Sequence, residues 1–180
     1  MHILRLAPLA LLSLLIVGCS EKQPAEAPAP QDTASSPSGQ VELLSSPTSQ
    51  EAFPLATGSF VSGSFTAPRA GTIYSVSVVI GNYGNTSDGD LTAKLCQNEQ
   101  CETGSADLAQ SADNQYLAIA LEHPLKVGTD APVIYTFTRM HGTKPMAIWT
   151  YAPGTNLTQM KINGAAPVQR TPNIAISLTE

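Results

Sequence analysis

From residue 54 to its end, the chain alternates between apolar and polar residues with a period of two. The clearest segment spans residues 71–80. Its alternating apolar residues are Tyr74, Val76, Val78 and Ile80. Shorter segments with the same period, separated by Gly, Asn, Asp and Pro, span residues 60–66, 90–96, 116–121, 132–139, 145–151 and 174–178. Alternation of this kind is typical of β-strands that bury one face.

These segments predict an all-β fold. No window has a 3.6-residue apolar period with helix caps, so we expect minimal helix. About seven to nine short strands at this spacing are typical of an antiparallel β-sandwich, and we expect one that is jelly-roll-like. A parallel sheet is excluded because the chain lacks the crossover helices that parallel strands need. Since the first and last strands of a sandwich often pair, we expect residues 60–66 to lie beside residues 173–179.

The start of the chain has a different pattern. Arg5 precedes an apolar run from residue 6 to residue 17, which ends at Gly18 and Cys19. The run is too short to span a bilayer comfortably, and no charged flank follows it. It is therefore typical of a cleaved secretory signal.

The sequence Ile16-Val17-Gly18-Cys19 resembles the lipobox of bacterial lipoproteins. The resemblance implies cleavage after residue 18, a diacylglycerol on the Cys19 sulfur, and a further acyl chain such as palmitate on the new amino group. Several acyl chains on one residue give stable anchoring, whereas a single chain binds a membrane only marginally. In this family, Ser20 rather than an aspartate after the cysteine implies the outer membrane of a Gram-negative cell.

Residues 19–53 are rich in Pro, Ser and Ala and lack apolar periodicity. Pro interrupts backbone hydrogen bonding, and small polar side chains offer too little apolar surface to offset the entropy of ordering. We therefore predict a signal peptide at 1–18, a lipidated and flexible tether at 19–53, and a sandwich domain at 54–180. Residues 41–44 interrupt the tether with an apolar stretch that fits either a short strand or a helical turn.

The charge of the chain narrows the choice of partners. The formal net charge of −5 is mildly acidic, and only 13% of the residues are charged. Lys and Arg form neither a basic patch nor a polybasic strip, which argues against nucleic acid and against electrostatic binding to lipid headgroups. We therefore expect the N-terminal lipid to attach the protein to the membrane.

Two cysteines remain after Cys19, namely Cys96 and Cys101. Export to an oxidising compartment makes a disulfide between them the expected state. Zinc would need more ligands than this pair, since His123 and His141 lie outside metal-ligand spacing. A redox role would usually need a Cys-x-x-Cys spacing. We interpret the pair as a structural staple that closes a short loop between two strands.

The order of features after residue 54 resembles the jelly-roll accessory domains of bacterial surface and glycan-processing proteins. The matching features are the aromatic pair Phe60 and Phe65, the turn Asn82-Tyr83-Gly84-Asn85, the segment Gly89-Asp90-Leu91, the strand end His123-Pro124-Leu125, the turn Val127-Gly128 and the strand Tyr135-Thr136-Phe137. The resemblance implies a carbohydrate-binding-like fold, and it transfers no site residues.

Motifs that carry catalysis are absent from the sequence. It has no Gly-x-Ser-x-Gly elbow, no P-loop, no dinucleotide fingerprint and no His-Glu-x-x-His. We therefore predict that the protein is not an enzyme and has no catalytic residues. Glu122 and His123 are neighbours on one strand, so their side chains would point to opposite faces. An enzyme would need a concave pocket that gathers Glu122, Asp113 or His141.

The turn at residues 82–90 is the most suggestive polar cluster. Asn85, Asp88 and Asp90 offer the hard oxygen ligands that calcium prefers. However, Asn, Gly and Asp are also the usual turn formers, and the spacing does not fit an EF-hand loop. We favour the turn interpretation, with no metal or other cofactor, and keep calcium as the alternative.

Aromatic residues are the main candidates for ligand binding. Trp149 and Tyr151 lie two residues apart and so share a face of their strand. If Met146 and Ile148 fill the core, both rings point outward and form a platform for a sugar ring. In the reversed register Trp149 is the centre of the core, which we favour because large aromatics dominate cores. Tyr83, in the Asn/Gly turn, is a smaller candidate.

The sequence thus predicts an outer-membrane lipoprotein, facing the periplasm or the cell surface, with a non-catalytic β-sandwich. We expect the sandwich to bind a glycan through Trp149, Tyr151 and Tyr83. The alternative is an accessory subunit that binds another envelope protein, which would show an exposed apolar patch or an unpaired edge strand.

Overall fold

The computed structural model describes residues 40–44 and 47–180. The predicted signal peptide, Cys19 and most of the predicted tether lie outside these residues. The described strands are β1 Val41–Glu42, β2 Glu51–Pro54, β3 Phe60–Phe65, β4 Gly71–Gly81, β5 Asp90–Gln97, β6 Gln100–Asp107, β7 Gln115–Val127, β8 Val133–Arg139, β9 Ala147–Tyr151, β10 Lys161–Ile162, β11 Thr171–Pro172 and β12 Ile174–Thr179. Within the two described ranges the one helix is a short 3-10 turn, Leu108–Gln110, and none is long and apolar enough to cross a membrane.

The strands form two antiparallel sheets that share one hydrophobic core. Sheet A has seven strands in the order β1-β12-β4-β9-β11, with β2 paired to β9 and β7 paired to β4. Sheet B has five strands in the order β10-β3-β8-β5-β6. The predicted antiparallel β-sandwich is confirmed. Nine of the strands are longer than two residues, which agrees with the predicted number.

The core lies between the inner faces of the two sheets. Val76 and Ile80 of β4 point into it, as the alternation predicts. Tyr74 does not, because a β-bulge between Ile73 and Ser75 shifts the register. Ile73 is fully buried while Tyr74 is 48% exposed. A single extra residue in a strand reverses which side chains point inward.

The predicted pairing of the first and last strands is wrong. Strand β3 pairs with β8 and β10 in sheet B, whereas β12 pairs with β4 and β1 in sheet A. The apolar stretch at residues 41–44 begins with the short edge strand β1, and Leu43 and Leu44, which follow it, are buried. Strand β2 also belongs to sheet A. The sandwich therefore begins before the predicted boundary at residue 54.

Two pieces of strand have no counterpart in the sequence prediction. The inner face of β6 carries Glu102, Gly104 and Ala106. Because these residues are not all apolar, β6 lacks the alternation of apolar and polar residues that predicts a strand. Strand β7 continues through Pro124, where the sequence predicted a strand end. Residues 121–124 have no partners in β4, so the missing N–H of Pro124 breaks no ladder hydrogen bond.

Cys96 and Cys101 form the predicted disulfide, with an S–S distance of 2.05 Å. The two residues are direct partners in the antiparallel ladder of β5 and β6. Because the closed loop is short, the chain-entropy estimate of its stabilisation is only about 2 kcal/mol. The disulfide therefore secures one hairpin of sheet B and does not link distant parts of the fold.

Candidate functional site

Trp149 lies on the outer face of sheet A, the face that points away from sheet B. Met146 and Ile148 are 1% and 0% exposed and fill the core, so Trp149 occupies the opposite face of the chain. Its half-buried indole packs against Gly81 of β4. The favoured interpretation of Trp149 as the centre of the core is therefore wrong.

A hydrogen bond fixes the orientation of the indole. Trp149 Nε1 donates to Asn114 Oδ1 at 2.8 Å. Asn114 directly precedes β7 and has a φ of 57°, a left-handed conformation that asparagine tolerates better than most residues. Its neighbour Asp113 accepts hydrogen bonds from the backbone N–H groups of Asn82 and Gly84. Asp113 and Asn114 therefore connect the 82–90 turn to the indole.

Tyr83 stands in this turn, between the two residues that bind Asp113. Its side chain is 49% exposed, and its φ is 46°. Two of the three predicted ligand-binding residues, Tyr83 and Trp149, are thus linked through Asp113 and Asn114. We refer to Trp149, Asn114 and Tyr83 as the indole site.

Tyr151 is placed differently from what a sugar platform requires. It shares the outer face of β9 with Trp149, but it is only 6% exposed. Burial raises the pKa of its hydroxyl above the usual value. A platform of two exposed rings, Trp149 beside Tyr151, is therefore not formed.

Tyr116 is an outer-face ring that sequence reasoning missed. It pairs with Val79 of β4, and its Oη donates to Glu42 Oε1 at 3.3 Å. Burial, and then the neighbouring Glu42 carboxylate, raise the pKa of Tyr116 above its usual value. The signal was present in the sequence, because the inward Leu117 and Ile119 imply that Tyr116 points outward.

Two buried side-chain oxygens in this part of sheet A are unpaired. Ser77 and Asn173 are 0% and 3% exposed. Among the described residues, neither Ser77 Oγ nor Asn173 Oδ1 has a hydrogen-bond partner. An unpaired buried polar atom costs about 1–3 kcal/mol. A hydrogen bond from a donor group to either oxygen would remove that cost.

The three weak calcium candidates have separate partners. Asn85 Oδ1 accepts from the backbone N–H of Asp113 at 2.7 Å. Asp90 Oδ2 lies 3.2 Å from His141 Nδ1. Asp88 accepts hydrogen bonds from the loop after β8. Across residues 40–44 and 47–180, no cluster of three His, Cys, Asp or Glu side chains is placed to hold a metal ion.

The Asp88 carboxylate holds the loop after β8. Its Oδ1 accepts from the backbone N–H groups of Thr143 and Lys144, each at 2.7 Å, and its Oδ2 accepts from Thr143 Oγ1 at 3.0 Å. The N–H of Lys144 contributes most to lowering the pKa of Asp88 below its usual value, and the Thr143 contacts and the Arg139 charge act in the same direction. The ionised form is therefore the one that the fold stabilises.

Replacing Asp88 with asparagine is expected to destabilise the protein at neutral pH and to matter less in acid. A carboxyl whose folded pKa lies below its unfolded value stabilises the fold above the unfolded pKa, and this contribution is lost as the pH falls through the folded value. Urea unfolding of both proteins, from neutral pH to below the usual pKa of 3.8, measures the difference. A difference that stays constant with pH would contradict the role of the charge.

A catalytic interpretation would need Glu122, Asp113 or His141 in one concave pocket, but each of them has different neighbours. Asp113 binds backbone amides of the 82–90 turn, and His141 lies beside Asp90. Glu122 is exposed on β7. These contacts give Asp113 and His141 structural partners.

No family model matches the chain, and no curated protein matches it significantly.

Proposed function

We propose that the protein is an outer-membrane lipoprotein whose non-catalytic β-sandwich binds a glycan at the indole site. The observation that carries this proposal is the partly exposed Trp149 indole on the outer face of sheet A, held in one orientation by Asn114. An outer sheet face normally carries polar residues, and the indole adds a flat apolar surface there that a ligand can cover.

The chemistry of the site suits a sugar ring. The apolar face of a pyranose packs against a flat aromatic ring, and Trp offers the largest such surface at low entropic cost. Asn114 lies at the edge of the indole, where its amide can bond to sugar hydroxyls. A half-exposed Tyr83 on the linked turn supplies a second ring.

The Cys19 anchor completes the proposal. It rests on the lipobox resemblance of Ile16-Val17-Gly18-Cys19, which lies outside the described residues. Acyl chains on Cys19 would keep the sandwich at the membrane surface, where envelope polysaccharides are concentrated.

The proposal is tested by the fluorescence of Trp149, which is the only tryptophan in the chain. Titration with envelope polysaccharides and peptidoglycan fragments is expected to shift or quench its emission, because the ligand would cover the indole. Calorimetry with Trp149→Ala should show loss of binding, and Trp149→Phe should retain part of it.

Tyr74→Ala is the matched control. Tyr74 is an aromatic residue that is 48% exposed, but it lies at the β-bulge of β4, and its removal should leave binding unchanged. Equal loss of binding in both variants, with both still folded, would place the ligand elsewhere. Absence of binding to all the polysaccharides and peptidoglycan fragments tested would contradict the proposal for these ligands.

A further inference from the structure

Trp149 determines which end of the Asn114 side-chain amide is free. An indole N–H can only donate a hydrogen bond, so the atom of Asn114 that faces it at 2.8 Å must be the amide oxygen, Oδ1. In the described part of the chain, this is the one hydrogen bond that the Asn114 side chain makes. Since both residues are partly exposed, the amide nitrogen, Nδ2, is available to a ligand as a donor.

The backbone that carries this amide is held by the neighbouring turn. The side chain of Asp113 accepts hydrogen bonds from the N–H groups of Asn82 and Gly84. The N–H of Asp113 donates in turn to Asn85 Oδ1 at 2.7 Å. A donor that is held before binding loses little conformational entropy when a ligand accepts from it. The amide of Asn114 is thus a preorganised hydrogen-bond donor at the edge of an aromatic ring.

The residue next to this donor carries a negative charge. Within residues 40–44 and 47–180, no lysine, arginine or histidine forms an ion pair with Asp113. A carboxylate or phosphate group of a ligand that approached Asn114 would therefore be repelled by the Asp113 carboxylate. The indole site thus favours a hydrogen-bond acceptor that carries no charge.

We propose that the indole site recognises N-acetylated amino sugars, with Asn114 Nδ2 donating to the carbonyl oxygen of the acetamido group. This inference rests on the proposed function and names its substrate class. An acetamido carbonyl is a neutral acceptor without a proton of its own, which is what the free end of the Asn114 amide requires. The flat acetamido group also suits the exposed part of the Trp149 ring.

Other groups at the same position of a sugar ring match the donor less well. A protonated amine carries donors only, so it offers no acceptor to Asn114 Nδ2. A hydroxyl can accept, but its own proton then needs a further acceptor. We therefore expect the site to prefer an acetamido group on the second ring carbon over a hydroxyl or an amine by about tenfold, the value of one hydrogen bond.

Oligosaccharides of chitin, cellulose and chitosan test this preference, because at equal length they differ only in the group on the second ring carbon. The lipidated protein is titrated by calorimetry in a detergent without a sugar headgroup, at a mildly acidic pH that protonates the chitosan amines. The chitin oligosaccharide should bind about tenfold more tightly than the other two. Equal affinity for all three, or tightest binding of the cellulose oligosaccharide, would overturn the inference while leaving the proposed function in place.

Asn114→Asp exchanges the donor for an acceptor at nearly constant shape. One carboxylate oxygen can still accept from Trp149 Nε1, and aspartate also tolerates a left-handed backbone. The other oxygen replaces Nδ2 with a charged acceptor, which a protonated amine binds well. The variant should lose about tenfold in affinity for chitin and should bind chitosan more tightly than chitin. An unchanged order of affinities would overturn the role of Asn114.

Asn98→Asp is the matched control. Asn98 is an exposed asparagine with a φ of 54° in the turn between β5 and β6, and its replacement should leave all three affinities unchanged. A second variant, Asn114→Gly, removes the amide at a backbone conformation that glycine adopts freely. It should abolish the preference for chitin while weak binding to the ring remains. Circular dichroism and the emission of Trp149 show whether each variant keeps the fold and the surroundings of the indole.

Two polymers carry the acetamido group, namely chitin-type chains and the glycan strands of peptidoglycan. Peptidoglycan strands freed of their peptides separate the two sources: tighter binding than that of chitin oligosaccharides of equal length identifies the cell-wall strand, and weaker binding identifies a chitin-type chain. If neither binds but another polysaccharide binds in a manner that Trp149→Ala abolishes, only this inference is overturned. If no glycan binds at all, the proposed function is contradicted together with it.

Discussion

Replacing Arg139 with methionine is expected to lower the free energy of unfolding by about 3–5 kcal/mol. Arg139 is the last residue of β8, and its side chain points inward. The residue is only 3% exposed although it carries a charge. Its nitrogens donate to the carbonyls of Leu55 at 3.1 Å and of Asp88 and His141 at 3.3 Å each, and also to that of Lys144. Methionine would fill the volume but would leave these acceptors without their donor.

Urea unfolding of the purified protein measures the loss. Arg139→Lys should recover little of it, because an ammonium cannot reproduce the fork of a guanidinium. The control is Arg69→Met: Arg69 pairs with Glu180 at 3.0 Å, but the two side chains are 49% and 87% exposed. An exposed pair contributes below about 1 kcal/mol, so equal losses at the two arginines would refute the structural role of Arg139.

Arg139 also shows which part of the structure the sequence does not predict, namely the burial of a charged side chain. The alternation of residues 132–139 predicts the strand correctly, because period two is a local property of the backbone. It places Arg139 on the inner face, but a charged residue at a strand end gives no sign of being buried. The carbonyls that make burial possible come from three separate segments of the chain.

The register errors have a similar origin. The alternation predicts that Tyr74 shares the buried face of β4, but the bulge that turns it outward depends on the partner strands β7 and β12. For Trp149, the sequence allows two registers, and the favoured one, with the indole at the centre of the core, is wrong. The buried Met146 and Ile148 decide the choice, and their burial is a property of the assembled sandwich.

The indole site was predictable only in part. Residue type alone singled out Trp149 and Tyr83. Their connection through Asp113 and Asn114 joins segments about thirty residues apart, and no local pattern reports it. Tyr116 could have been found by extending the alternation of β7 to its outer face.

Replacing Gly104 with valine is expected to lower the free energy of unfolding by about 3 kcal/mol or more. Gly104 lies on the inner face of β6, where the free edge of β7 approaches sheet B. A Cβ at this position would overlap the carbonyl oxygen of Ala120 and would stand 3.2 Å from Ile119 Cγ2. Because the overlap is with backbone, no rotamer change can relieve it, and the two strands must separate.

Thermal and urea unfolding compare this variant with Ser105→Val. Ser105 is the next residue of β6 and points outward, so valine there keeps the strand propensity and should change stability by less than about 0.5 kcal/mol. Gly104→Ala should also destabilise, since the first added carbon already meets the Ala120 carbonyl. Comparable stabilities of Gly104→Val and Ser105→Val would mean that β6 and β7 do not approach closely. The close approach of β6 and β7 thus depends on Gly104, a residue without a side chain. It lies in a strand that the alternation of apolar residues does not predict.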